Sequence, residues 1–217
     1  MKILVVGDGH SSIHEVAATK AFRKLGHQSK LFCWHTYFKS KNLFLDIYYR
    51  AQNKFIFGPK INDLNKDLIK KIIKFKPDLI FVYRGTHVKP KTISKIKFIL
   101  PSCKVFGYNN DDPFSSGHPY WLWRLFMKCI PLYDLMFVYR HHNLKDFMKK
   151  KANSVALLRS WFIPELNFKI KLSKKEKLKY ECDVVFVGHY ENDGRLECLE
   201  EIVKKGHNLR IFGPPNE

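Results

Sequence analysis

The chain has 217 residues, with 39 Lys+Arg against 20 Asp+Glu and a formal net charge of +19. Its hydrophobic content of 45% and aromatic content of 15% describe a globular protein and exclude a disordered one. No apolar run approaches the roughly 20 residues of a membrane span, and Met1 to Val6 is too short and strand-like for a signal peptide.

The first predicted element is a strand, Lys2 to Val6, followed by Gly7-Asp8-Gly9-His10-Ser11-Ser12. A helix is expected from about Ile13 to Leu25. Ile13, Val16, Ala17, Ala21 and Leu25 would share one face, Ser11 or Ser12 would cap the start, and Gly26 would stop the end. Lys30 to Trp34 reads as the second strand. Tyr37 to Phe57 is rich in aromatics and reads as helix with a loop. Leu64, Leu68, Ile72 and Phe75 mark a helix from Asn62 to Lys76, and Pro77 ends it. A buried strand follows at Asp78 to Tyr83, then a helix from Pro90, then a strand at Lys104 to Tyr108. Trp121 to Cys129 reads as helix, Leu135 to Tyr139 as strand, Asn143 to Lys151 as helix and Ser154 to Leu158 as strand.

Strands and helices alternate throughout, which predicts an α/β fold with a Rossmann-like, doubly wound parallel sheet. Composition then changes: six lysines fall between Lys169 and Lys179. Residues 164–181 are expected to form a lysine-rich linker between a domain at 1–163 and a second one. The segment 182–217 holds the strand Asp183 to Val187, a helix from Gly194 to Lys205 and the strand Asn208 to Phe212. That is one βαβ unit, which cannot cover both faces of a parallel sheet, so the second domain is expected to be incomplete.

Cys33, Cys103, Cys129, Cys182 and Cys198 are odd in number and without CxxC spacing. This predicts reduced, buried thiols in a cytoplasmic protein and argues against zinc. The positive charge favours anionic partners such as nucleic acid, anionic lipid or phosphate-bearing substrates. A bias toward lysine, isoleucine, asparagine and phenylalanine would produce the same totals, since the lysines are spread along helices.

In an open α/β sheet, ligands bind beyond the carboxyl ends of the strands. After the first strand come Asp8, Gly9, His10 and Ser11. Glycines allow close backbone approach, and a helix start offers N–H groups to an anion. The third glycine of the dinucleotide fingerprint is missing, and no acid ends the second strand, so a dinucleotide cofactor is disfavoured. An ordinary βα turn explains the same residues. After Tyr83 come Arg84 and His87, of which Arg84 suits a phosphate or carboxylate. Asn110, Asp111 and Asp112 form the densest polar cluster and offer hydrogen-bond acceptors or a base; the competing reading is an Asx turn before Pro113. No spaced third ligand points to a metal. His141 and His142 are adjacent, which suits a helix end or surface rather than a shared metal. Gly188, His189 and Tyr190, with Arg195 in the following helix, offer a second anion-facing turn.

Four ordered segments carry a family likeness. They are Lys76-Pro77-Asp78-Leu79-Ile80 with Arg84-Gly85; Asn110-Asp111-Asp112-Pro113; Tyr133-Asp134-Leu135-Met136-Phe137; and Asp183 through Tyr190 with Arg195, on to Leu209-Arg210-Ile211-Phe212-Gly213-Pro214. The chain resembles the bacterial CgeB-like (spore-maturation-type) glycosyltransferases of the GT-B superfamily. The resemblance implies two Rossmann-like domains facing each other across a cleft. The first would receive the acceptor and the second would hold the nucleotide-sugar donor, with its ribose-gripping acid beyond residue 217.

The implied activity is metal-independent transfer of a sugar from a nucleotide-sugar to a glycan, lipid-linked or protein acceptor, without a cofactor. Asp112, Asp111, His10 and Asp8 are then the candidate bases. Gly9, Ser11, Arg84, His87, Asn110, Gly188, His189, Tyr190 and Arg195 are the candidate substrate contacts. The alternatives are a non-catalytic fragment that binds a glycan or an anionic surface, including the inner face of a membrane, and, less favoured, a nucleic-acid-binding protein. No nucleic-acid-binding module is recognisable, and lysines outnumber the arginines that usually read phosphates and bases.

Overall fold

The computed structural model describes residues 1–189 and 193–213. The chain divides into two compact units, Met1–Ile163 and Pro164–Glu217.

The first unit is built on six parallel strands: β1 (Lys2–Gly7), β2 (Gln28–Cys33), β3 (Leu79–Tyr83), β4 (Lys104–Asn109), β5 (Leu135–Val138) and β6 (Val155–Leu157). Their order across the sheet is β2-β1-β3-β4-β5-β6. The helices are α1 (Glu15–Lys24), α2 (Leu43–Phe55), α3 (Pro59–Phe75), α4 (Pro90–Ile99), α5 (Tyr120–Cys129) and α6 (His141–Lys149). This is the expected Rossmann-like fold. Because β1 lies between β2 and β3, the chain changes winding direction there, and the carboxyl ends of β1 and β3 flank a topological switch point.

Strand alternation sorts the core into two layers. Leu4, Val6, Ile80, Val82 and Val105 face Leu64, Leu68 and Ile72 of α3 and Phe126 of α5. Ile3, Val5, Phe81, Tyr83 and Tyr108 face the opposite side, where Ala18 and Phe22 of α1 and the ring of Trp161 pack. Both faces of β1 and β3 are therefore covered, which is why these strands read as unbroken apolar runs.

Helix α1 departs from the sequence expectation, while the Tyr37–Phe57 stretch follows it as helix with a loop. Helix α1 starts at Glu15, with His14 at the cap position, and neither Ser11 nor Ser12 caps it. Its inward face carries Glu15, Ala18, Thr19 and Phe22, while Ile13, Ala21 and Leu25 are exposed. The cause is local: Thr19 Oγ1 donates to the Glu15 carbonyl at 2.7 Å, and the Glu15 carboxylate accepts the Asp8 N–H at 2.9 Å. These bonds let polar residues occupy positions that periodicity assigns to apolar ones. In the Tyr37–Phe57 stretch, a 3-10 turn (His35–Phe38) precedes α2, which Asn42 caps by accepting the Leu45 N–H at 3.1 Å.

The second unit contains α7 (Lys174–Tyr180), β7 (Val184–Val187), α8 (Arg195–Lys204) and β8 (Leu209–Phe212), with β7 and β8 parallel. None of its described residues is fully buried. Helix α7 lies within the lysine-rich stretch because Ser173 and Glu176 form a reciprocal capping box. Of the cysteines, Cys103 and Cys129 are buried and Cys198 is exposed, and all five are free thiols.

Candidate functional site

The loops leaving β1, β3 and β4 bring most of the first-unit candidates to one sheet edge. In the β1 loop, His10 Nδ1 pairs with Asp8 Oδ2. If Nδ1–H donates to that carboxylate, Nε2 is the basic nitrogen of the ring. The His10 side chain is 62% exposed, so the pair is open to a ligand. The loop is held from below: His35 N–H donates to the Asp8 carbonyl at 3.1 Å, and Asp8 N–H donates to Glu15.

The glycines of this loop serve the protein's own packing. A Cβ on Gly7 would overlap the Glu15 side chain, and one on Gly9, which has φ of 77°, would overlap Cys33 Sγ. Glu15 is 2% exposed and its Oε2 is buried without a hydrogen-bond partner. A buried carboxylate in the first turn of α1 opposes a phosphate at that helix start, because it already occupies the positive end of the dipole. The Glu15 carboxylate also takes the Asp8 N–H, one of the donors this turn would otherwise offer to an anion. Ser11 Oγ accepts the Ile13 N–H at 3.3 Å.

Arg84 leaves β3 in a left-handed conformation, with φ of 57°. That is a strained geometry for a residue with a side chain, of the kind found at functional sites. Its N–H donates to the Tyr108 carbonyl at 2.7 Å, and its guanidinium meets Asp111 Oδ2 at 2.7 Å and lies over the Trp123 ring at 5.5 Å. Arg84 Nε is buried without a partner.

His14 and Tyr83 join this group, and the sequence reading missed both. Their rings stack at 4.9 Å, and Tyr83 Oη and His14 Nδ1 are 3.0 Å apart. Burial, opposed by the charge of Glu15 and reinforced by His10 and Arg84, holds His14 below the usual imidazole pKa; Asp111 acts to raise it. His10, Glu15, Arg84 and Asp111 thus all act on one ring. Trp161 closes the group by donating its indole N–H to the Ile13 carbonyl at 2.8 Å, with its ring 6.1 Å from that of Tyr83. Tyr83 ends a predicted strand immediately before Arg84, and His14 lies four residues after His10. Those positions were the only available signals.

Asp112 is placed differently. Its Oδ1 accepts the Phe114 N–H at 3.0 Å and the Asn143 side-chain amide at 2.9 Å, and its Oδ2 meets His142 Nε2 at 2.9 Å. Burial would raise this carboxyl, but the bonds from His142, Asn143 and Phe114 outweigh it and hold the pKa below the ordinary value. A carboxylate so stabilised in its charged form is a weak base. It acts as an Asx turn and as an anion at the start of α6. Asn110 Oδ1 is buried without a partner, and its carbonyl accepts from Arg140 at 3.1 Å.

His87 turns inward. It is 6% exposed, its ring nitrogens contact Thr86 Oγ1 at 2.9 Å and Asn53 Oδ1 at 2.8 Å, and it stacks on Trp34 at 5.2 Å. Burial pushes its pKa down to about 4. It organises the core and offers no open face to a substrate.

In the second unit, Gly188 N–H donates to the Phe212 carbonyl at 3.0 Å. Arg195 is held in bidentate fashion by Asp193 at 2.7 and 2.6 Å and donates to the His189 carbonyl at 2.5 Å. The Arg195 guanidinium therefore braces its own turn. Tyr190 lies outside the described residues.

No protein-family model matches the chain, and no curated protein sequence matches it. Solved structures do. The UDP-GlcNAc 2-epimerase from Neisseria meningitidis bound to UDP-GlcNAc is 14% identical with a TM-score of 0.53, matching 100% of this chain and 67% of that one. Glycyrrhiza uralensis UGT73P12, complexed with glycyrrhetinic acid 3-O-monoglucuronide, is 10% identical with a TM-score of 0.51, matching 100% and 63%. An S. aureus MnaA–UDP co-structure is 13% identical with a TM-score of 0.49, matching 98% and 61%. The chain thus spans between 61% and 67% of these proteins. The first two matches establish a fold of the GT-B type.

Proposed function

We propose that the chain is the acceptor-side part of a GT-B glycosyltransferase, akin to the CgeB-like group, that moves a sugar from a nucleotide-sugar to a hydroxyl of a glycan, lipid-linked or protein acceptor. The observation that carries this reading is the Asp8–His10 pair at the switch-point edge, beside the Arg84–Asp111 pair. An inverting transfer needs a base on the acceptor hydroxyl. Asp8 would hold the imidazole so that Nε2 takes the proton, the arrangement in which a carboxylate orients a histidine base. Arg84 and Asp111 would position acceptor hydroxyls, while buried Glu15 holds the β1 loop through the Asp8 N–H. Half-buried Trp161, backed by the buried rings of Tyr83 and Tyr108, would offer the aromatic surface against which a sugar ring can pack.

The first unit is assigned residues 1–163 and the acceptor role, and the second unit the start of the donor role. The leaving diphosphate would be met by helix N-termini and basic groups, with no metal or cofactor needed. Residence in the cytoplasm, where nucleotide-sugars are made, belongs to the same proposal.

The test is protein-observed NMR of the histidine and tryptophan signals of this chain, titrated with hydroxyl-rich acceptors and with UDP, GDP, TDP and CMP compounds. The reading expects acceptors to perturb His10, His14 and Trp161. Nucleotides binding at these residues while acceptors leave them unmoved would overturn the acceptor assignment.

A further inference from the structure

Helix α2 is amphipathic with its sides reversed. Its protein-facing side carries Gln52, which is 0% exposed and accepts the Lys60 N–H at 2.8 Å, and Asn53, which contacts buried His87 at 2.8 Å. Its outward side carries Phe44, Ile47, Tyr48 and Phe55, at spacings of three, four and seven residues that place them in one stripe along the helix. Phe44 is 82% exposed and Ile47 58%. The stripe continues beyond the helix: the Phe55 ring lies 5.3 Å from that of Trp121 and 6.5 Å from that of Phe57, and exposed Tyr120 stands beside Trp121. Solvent-facing aromatic and aliphatic residues at this density mark an interaction surface.

The charges around the stripe identify the partner. Between Lys39 and Lys60 there are five basic residues, Lys39, Lys41, Arg50, Lys54 and Lys60, and one acid, Asp46. That acid is engaged by Arg50 at 2.6 Å and by the Ser40 N–H at 3.1 Å. With Arg50 paired to that acid, Lys39, Lys41, Lys54 and Lys60 remain in excess, and an apolar stripe with Phe, Tyr and Trp beside them, on a chain of net charge +19, complements an anionic lipid surface. Among the described residues no helix is long and apolar enough to cross a membrane, so α2 would lie in the interface plane and not span it.

We propose that α2 and the adjoining Phe57, Tyr120 and Trp121 dock this unit on an anionic bilayer. Phe44, Ile47 and Phe55 enter the acyl boundary, while exposed Lys41 and Lys54 meet the lipid phosphates. This rests on α2 alone and stands or falls separately from the sugar-transfer reading.

The test is flotation of the full chain with phosphatidylcholine vesicles and with vesicles containing phosphatidylglycerol. It uses a Phe44→Ser/Ile47→Ser/Phe55→Ser variant and a Lys41→Glu/Lys54→Glu variant, with sedimentation equilibrium on the same samples and circular dichroism to confirm folding. The expected result is binding to the anionic vesicles, weakened by salt. The apolar variant should lower it roughly a hundredfold or more, from the loss of several buried groups. The charge reversal should lower it at least tenfold, since each cation near the surface is worth about 1 kcal/mol. No vesicle binding, or binding that the apolar variant leaves intact, overturns the proposal. A self-associated state that the apolar variant dissolves, without vesicle binding, overturns it in favour of a second copy of the chain.

Discussion

The loops that follow β1 and β4 both present carboxylates at the same edge of one sheet, yet they use them in opposite ways. Asp112 in the β4 loop is bonded through both oxygens to α6 and its own turn. Asp8 in the β1 loop has a histidine as its side-chain partner, and that histidine is open to solvent. The density of acids in a sequence is thus a poor guide to reactivity. The bonds already made decide which carboxylate, or which base it orients, remains available for chemistry.

The sharpest way to break this contrast is kinetic. In the sugar-transfer reaction proposed above, assayed in a GT-B protein that carries this chain, His10→Ala should lower kcat by about 10²–10⁴-fold, the usual worth of a positioned base. Asp112→Asn should leave kcat within about tenfold, because the amide keeps one acceptor oxygen at the turn. The reverse ranking would return the base role to the β4 loop.

Stability should rank the two loops the other way. Asp112→Ala should cost about 2–3 kcal/mol, through unpaired Asn143 and Phe114 groups and the loss of a helix-start anion. His10→Ala should change stability by less than about 0.5 kcal/mol, as an exposed substitution does. Urea unfolding of this chain measures both.

The pH dependence separates the loops from the core. His87 has a native pKa of about 4, below the ordinary 6.5, so the unfolded chain binds more protons between those values. Stability is therefore full above pH 6.5 and falls as pH drops toward 4, by up to about 3 kcal/mol. Asp112 also favours the native state above its unfolded pKa of 3.8, and that contribution is lost only as pH falls through its lower native value. A His87→Asn variant should flatten the slope between pH 6.5 and 4 in denaturant titrations. An unchanged slope would remove His87 as its source.

A small effect is expected at Arg84. Arg84→Gly relieves the left-handed strain but loses the Asp111 pair, and a half-exposed pair is worth about 0–1 kcal/mol. Net stability should shift by no more than about 1 kcal/mol, while acceptor binding weakens.

The sheet was legible because β1 and β3 are apolar runs buried on both faces, and strands and helices alternate along the chain. Helix α1 was misjudged in its start and face. Periodicity ranks Ile13 and Leu25 above Glu15 and Thr19, and only the long-range bond from Asp8 N–H to Glu15 reveals why the acid lies inside. Helix α2 resisted typing for a related reason: its polar side faces the protein and its apolar side faces solvent. In the site, Asp8 and His10 were readable as neighbours two residues apart. The locking of Asp112 by His142 and Asn143, about thirty residues downstream, was not. His87 looked like a loop residue and became a core histidine because Asn53 and Trp34 converge on it from distant segments.

The most direct measurement is a histidine-selective NMR titration of this chain with a hydroxyl-rich acceptor, in the native protein and in Asp8→Asn. The account predicts that acceptor moves the His10 and His14 signals, that Asp8→Asn changes the His10 tautomer balance and weakens the response, and that His142 stays still. A response confined to His142, or one indifferent to Asp8, would contradict the assignment of the β1 loop as the reactive edge.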